Sequence, residues 1–305
     1  MDIKIVIAVN KKDVWFCKIC IASIRYFYPD VAIFLLKDEL NGKFSTKEIE
    51  AHWKVNLIEF SLKKFGWSAA KMHFYCDDRF ADQKFLVMDS DIVFIGKLLD
   101  QQFVTDFSSD VIVSEEIHSD FEAKWFNETY YTYKTIQSFD PEFKYPGYTF
   151  NCGQLFCKGN FLEKETVTSY FDFNGIPSWK RADIFPLVDQ SLFNYLLPTL
   201  SKKGNLRIGR ENYMLWSENQ KLVKEILISD IVKGEKYPYL IHWAGALRTP
   251  LLNKMTRSDI LIFFEDYYYQ RIKGRFFVKR IRKLKPFFIG QLKIVYRILK
   301  NHRKK

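Results

Sequence analysis

Apolar positions along the chain fall into short runs, separated by stretches with helical spacing. Residues 3–9 read as a strand, Val14–Tyr28 as a helix rich in apolar residues, and Val31–Leu36 as a second strand after the Pro29-Asp30 turn. Strand, helix and strand at this spacing predict βα units on a parallel sheet. Lys47–Trp53 continues as a helix, Val55–Phe60 as a short strand and Ala69–Arg79 as a helix. It leads into the strongest run of the chain, Lys84-Phe-Leu-Val-Met-Asp-Ser-Asp-Ile-Val-Phe-Ile95. A run this apolar predicts a central strand covered on both faces. Val111–Ser114 reads as another short strand. Thr149–Lys158 carries Asn151-Cys-Gly153 and then an apolar strand, and Leu187–Leu197 reads as a helix opened by Asp189. Tyr237–His242 is the last strand expected, followed by a Gly-containing loop. The aromatic, polar segment Phe121–Tyr148 carries no readable period. The pattern predicts an α/β protein with a Rossmann-like, mainly parallel sheet and flanking helices.

Composition changes this picture in two places. With 305 residues, including 29 Phe, 17 Tyr and 7 Trp, core volume is not limiting for one large α/β domain or two small ones. The chain enters a strand at once, with no basic segment and long apolar stretch ahead of it, and no apolar segment approaches the roughly 18 to 20 residues that span a bilayer. The reading is therefore cytoplasmic. Cys17 and Cys20 form a C-x-x-C with no second pair at zinc spacing, so the five cysteines are expected as buried free thiols. Charge is lopsided. Residues 271–305 hold 14 of the 47 Lys and Arg and no Asp or Glu, so residues 1–270 carry 33 basic against 36 acidic side chains. A slightly acidic body thus precedes a strongly basic tail, and the expected division is 1–268 as the main domain and 269–305 as the tail.

Candidate chemistry begins at the end of the central run. Asp89 and Asp91 stand where ligands of open α/β sheets sit, beyond the carboxyl end of a strand. Two hard oxygen ligands there suit a divalent cation that also carries a diphosphate. Three more pieces accompany them: Lys71-Met-His73 before the strand, Phe150-Asn-Cys-Gly153 with Asp189-Gln190, and His242-Trp-Ala-Gly-Ala-Leu-Arg248.

Taken in order, these pieces resemble the retaining sugar transferases of glycosyltransferase family 8, over most of residues 3–250. The resemblance implies a GT-A fold, a UDP-linked sugar donor and Mn2+ or Mg2+. Asp89, Asp91 and His242 match the metal ligands, and an imidazole beside two carboxylates shifts preference toward Mn2+. Gly245 would let backbone approach the phosphates and Arg248 would contact them as a charge-assisted donor. The family's usual Lys-Pro-Trp continuation is replaced here by Arg248-Thr-Pro250. Lys71 matches a base near the diphosphate and sugar, and Asn10 falls where the family reads uracil, with Asp13 or Trp15 as helpers. Asn151 and Gly153 match the strand motif facing the donor sugar. Asp189 and Gln190 match the Asp-Gln pair, with Gln190 assigned to positioning and oxocarbenium stabilisation. As a plain helix residue Asp189 would be an N-cap, and in an inverting enzyme it would be open to the part of general base.

The tail interleaves its cations with bulky apolar residues. If residues 287–300 are helical, Phe288, Leu292, Val295 and Leu299 share one face and Lys293, Arg297 and Lys300 another. Such a helix suits the interface of an anionic membrane; packing on the catalytic domain is the second reading, and a nucleic-acid arm is disfavoured. The expected protein is a membrane-peripheral, metal-dependent hexosyltransferase at the inner face of the membrane. It would act on a glycan or glycolipid acceptor in bacterial lipopolysaccharide or capsule synthesis. The rivals are a catalytically inactive transferase-like membrane-binding protein and a nucleotidyltransferase, although Ala8-Val-Asn-Lys-Lys lacks the glycines of a phosphate loop.

Overall fold

The computed structural model describes residues 2–272 apart from 67, 177 and 219, together with 274 and 279. Its strands are β1 (Ile3–Asn10), β2 (Ile33–Asp38), β3 (Val55–Leu57), β4 (Lys84–Asp89), β5 (Ile92–Phe94) and β6 (Val111–Glu116). They are followed by β7 (Thr149–Phe150), β8 (Gln154–Lys158), β9 (Ile208–Glu211), β10 (Met214–Trp216) and β11 (Leu240–His242). The main sheet runs β3-β2-β1-β4-β8-β6-β7, with β9 beside β6. Its first half is parallel, and β8 then lies antiparallel between β4 and β6. A smaller sheet runs β10-β11-β5.

The uninterrupted apolar runs of β1 and β4 follow from burial on both faces. Ile5, Ile7, Leu86 and Met88 enter one core with the helices Val14–Phe27 and Ser258–Gln270. Val6, Phe85 and Val87 enter a second core with the helices Ala69–Tyr75 and Asp189–Lys202. Successive side chains of one strand thus leave for opposite layers, which is what period-two geometry requires of a covered sheet. All five cysteines are free and buried, as expected.

Differences from the sequence reading lie at element ends. The helix expected over Ala69–Arg79 stops at Tyr75, and a 3-10 turn, Asp78–Phe80, follows, with the Asp77 carboxylate accepting from the Arg79 amide. The strands expected over Val55–Phe60 and Tyr237–His242 shorten to β3 and β11 because only those residues find a partner strand. Phe121–Tyr148 holds two short helices, Lys124–Thr129 and Tyr133–Phe139. Among the described residues no helix is long and apolar enough to cross a membrane. The amphipathic helix expected over 287–300 lies outside the described residues. Lys279 of the basic tail is described, and it pairs with Glu265 at 3.7 Å and with Asp266.

Two antiparallel pairings assemble the site. Because β8 runs against β4, its first residue Gln154 faces Met88, and the Asp89 amide donates to Gly153 O at 2.7 Å. That sets Asn151-Cys-Gly153 beside the end of the central strand. Because β11 runs against β5, His242 faces Ile92, and the Trp243 amide donates to Asp91 O at 3.1 Å. Residues some 150 positions apart in sequence therefore meet beyond the end of β4, where the main and the smaller sheet adjoin.

Candidate active site

Asp89, Asp91 and His242 each offer a ligand atom, and these atoms lie within 4.8 Å of one another. His242 Nε2 is 3.2 Å from Asp91 Oδ1, with both side chains almost fully buried. Two cations face the carboxylates. Lys71 Nζ is 2.9 Å from Asp89 Oδ1 and 3.3 Å from Asp189 Oδ2, and it donates to Cys152 O at 2.9 Å. Arg248 Nη1 donates to Asp91 Oδ2 at 2.5 Å and lies 3.8 Å from Asp13 Oδ1.

Electrostatics divide the pair of aspartates. Desolvation and the nearby Asp91 charge push the Asp89 carboxyl above its ordinary range, against the pull of Lys71. Burial works the same way on Asp91, but the His242 imidazole and the Arg248 guanidinium outweigh it and hold that carboxyl below the ordinary range. Burial would strip Lys71 of its proton; the Asp89 and Asp189 charges overcome this and keep the ammonium.

Beside this cluster lies a cavity of about 570 Å3, lined by Asp89, Asn151, Gly153, Asp189, Gln190 and His242 among others. Gly245 also lines it, at φ +70° with open space where a Cβ would stand. Gly153 has no such room: a Cβ there would come within 2.3 Å of His242 Cε1 and 2.6 Å of Asn151 Oδ1. Gln190 spends its amide on the backbone opposite, with Oε1 accepting from Cys152 N at 2.8 Å and Nε2 donating to Phe150 O at 2.9 Å. Asp189 is the first helical residue of Asp189–Lys202 and not its N-cap; that position belongs to Val188, at φ +45°. Asn10 ends β1 outside the cavity lining, and its Nδ2 donates to Asp13 Oδ2 at 2.9 Å. It joins the cluster through the Asp13–Arg248–Asp91 chain.

Four residues of this region carried no sequence assignment. Glu116 ends β6 inside the cavity, where Oε2 accepts from Trp216 Nε1 at 3.1 Å and Tyr130 OH at 3.2 Å. Its Oε1 is buried without a hydrogen-bond partner among the described residues, and burial raises its pKa against the two bonds to Oε2. Asn194, one turn after Gln190, accepts from Phe150 N and donates to Phe150 O, each at 2.9 Å. A carboxylate at a strand end was the signal used for Asp89, and it would have found Glu116 too. Nothing local marks Trp216, Tyr130 or Asn194.

No family model and no curated protein matches the chain. Solved structures do. The apo structure of WbbM, a bifunctional glycosyltransferase, superposes at a TM-score of 0.53 with 15% identity, over 88% of this chain and 51% of that one. The galactosyltransferase LgtC, in complex with donor and acceptor sugar analogs, superposes at 0.51 with 13% identity, over 87% of this chain and 95% of LgtC. The chain thus spans about half of WbbM and nearly all of LgtC. At these identities the likeness is one of fold: the α/β architecture is the GT-A fold that the resemblance to family 8 implies.

Proposed function

We propose that the chain is a metal-dependent glycosyltransferase that moves a hexose from a UDP-sugar to a glycan or glycolipid acceptor with retention of configuration, in bacterial surface polysaccharide synthesis. The observation that carries this reading is the convergence of Asp89, Asp91 and His242 at the edge of a cavity that also exposes Asp189, Gln190 and Asn151. Two carboxylates and an imidazole form a donor set that fits Mn2+. Bound there, the ion would neutralise the diphosphate and stabilise it as a leaving group.

The chain's own groups divide the remaining work. Lys71, fixed between Asp89 and Asp189, holds both carboxylates in place. Arg248 sits on a loop beyond Gly245 and is partly exposed, so its guanidinium is the cation able to turn from Asp91 to a donor phosphate. Gln190 holds the Phe150–Cys152 backbone, and with Asp189 it lines the cavity that the donor sugar would enter. Donor hydrolysis against a panel of nucleotide sugars, with and without Mn2+ and with Asp91→Ala as control, tests the reading. Metal-dependent release of UDP from one donor, lost in the variant, supports it; no turnover and no metal-dependent nucleotide binding overturns it.

The basic tail supports attachment to an anionic membrane, since 14 cations without one acid follow a slightly acidic body. Each cation near such a surface contributes about 1 kcal/mol, screened by salt. Salt-sensitive co-sedimentation with phosphatidylglycerol vesicles, abolished by deleting residues 280–305, is the expected result.

A further inference from the structure

A metal-binding histidine is ordinarily aimed by its second ring nitrogen, which donates to a carboxylate or carbonyl. His242 is held differently. Its Nε2 faces Asp91, while Nδ1 is buried and meets no hydrogen-bond partner among the described residues. Packing sets the ring instead. The Trp216 indole stacks on it, with centroids 5.7 Å apart and planes 11° from parallel. The two residues are paired across β10 and β11, so the stack follows from strand register. The backbone of Gly153 closes the Cε1–Nδ1 edge. Trp216 is itself anchored, through Nε1 to Glu116 and through its amide to Gln220 Oε1 at 2.8 Å.

We propose that Trp216, anchored by Glu116, is a positioning residue for the divalent-ion site: it fixes the plane of the His242 imidazole so that Nε2 is presented together with the Asp89 and Asp91 carboxylates. This rests on the reading of Asp89, Asp91 and His242 as the ion-binding set. An imidazole without a hydrogen bond on its second nitrogen is free to turn about its χ2 bond, which is broad and roughly two-fold. A parallel plate over its face removes that freedom before the ion arrives, and an ion meeting a preorganised ring loses less in ordering it.

Titration of the full chain with Mn2+, following free Mn2+ by its paramagnetic resonance, tests this. Trp216→Leu removes the plate and should weaken Mn2+ binding about 10- to 100-fold, as loss of other groups that orient metal ligands does. Trp216→Phe keeps a plate and should stay within a few-fold of the wild type. A second readout is independent of affinity: bound Mn2+ should quench Trp216 emission where Mg2+ does not, and Trp216→Phe should lack the quenched component. Wild-type Mn2+ affinity in a folded Trp216→Leu variant overturns the inference. If that variant does not fold, an unquenched Trp216 in the Mn2+-loaded wild type overturns it. A wild type that binds no Mn2+ overturns the metal reading itself.

Discussion

The Lys71 ammonium lies 2.9 Å from the Asp89 carboxylate in a place where the lysine side chain is only 3% exposed. The same nitrogen meets Asp189 at 3.3 Å, so one buried cation balances two carboxylates from different elements. Removing it leaves both acids without their shared buried cation. Breaking a buried pair from one side typically costs about 3–5 kcal/mol. Lys71→Met is expected near the lower end, because Asp89 keeps some solvent contact. Denaturant unfolding measures the loss, and adding Asp189→Asn should recover part of it. A single variant as stable as the wild type would refute the balancing role.

Gly153→Ala is a sharper probe of the site than any change to a ligand. Its Cβ would fall 2.3 Å from His242 Cε1, so the imidazole must turn or the strand must move. Overpacking of this kind costs about 1–3 kcal/mol, and Mn2+ affinity is expected to fall at least tenfold. Gly245→Ala meets nothing within 4 Å and is strained only by its φ of +70°. It should lose about 1 kcal/mol while binding Mn2+ nearly as well. Calorimetric titration of the two variants side by side gives the contrast; equal losses would mean that contact with His242 is not what constrains position 153.

Much of this was legible before the structure. β4 could be read because a strand buried on both faces tolerates no polar interruption until Asp89, and that interruption is the site. Phe121–Tyr148 could not, because its helices have 6 and 7 residues and give an aromatic segment too little length to show a period. β9 and β10 are 4 and 3 residues long and escaped for the same reason. Asp89, Asp91 and His242 were singled out from spacing and resemblance, and the fold brings their ligand atoms within 4.8 Å of one another. Trp216 was not, because its role comes from the β10–β11 register, a relation between distant segments. The expected contact of Arg248 with phosphate also hides a step that only geometry reveals: its first partner is Asp91.

Asn194 binds both the backbone N–H and the C=O of Phe150, buried, and also donates to Gln190 O at 2.8 Å. It fixes the backbone that Gln190 then clamps. Asn194→Ala takes the acceptor from Phe150 N and one of two donors from Phe150 O, which keeps Gln190 Nε2, and a buried group left unpaired costs about 1–3 kcal/mol. We expect a loss of about 1–3 kcal/mol in total. Asn194→Asp keeps an acceptor for Phe150 N but loses the donor, and should fall between Ala and wild type. Urea unfolding of the three proteins ranks them.

His73 supplies a pH dependence away from the cluster of Asp89, Asp91 and His242. Its ring sits edge-on among Phe60, Phe65, Phe171 and Phe173, and burial, aided by Lys164, lowers its pKa from 6.5 to about 4. The folded state therefore resists a proton that the unfolded chain accepts. Stability is expected to be full above pH 6.5, to fall as pH drops toward 4, and to level off below that as far as this group is concerned. Melting temperatures of wild type and His73→Phe across that window test it. The variant should show a shallower slope, and parallel curves would remove His73 from the account.

Val188 tests whether the Asp189-Gln190 pair is held under backbone strain. Its φ of +45° and ψ of −112° belong to a region that glycine enters freely and a β-branched residue does not. Strain of this kind costs about 1–3 kcal/mol and persists where the surroundings over-determine it. Here the surroundings are the buried Phe185 before it and the Asp189 side chain after it, itself tied to Lys71. Comparing Val188→Ala with Val188→Gly isolates the backbone, since neither variant keeps the isopropyl group. At an ordinary position alanine is more stable than glycine by up to about 1 kcal/mol. At 188 the order should reverse, with glycine ahead by about 1–2 kcal/mol. If alanine is equal or better, the pair is not held by strain. If glycine is more stable yet slower in donor hydrolysis, the strain serves to keep Asp189 and Gln190 in place.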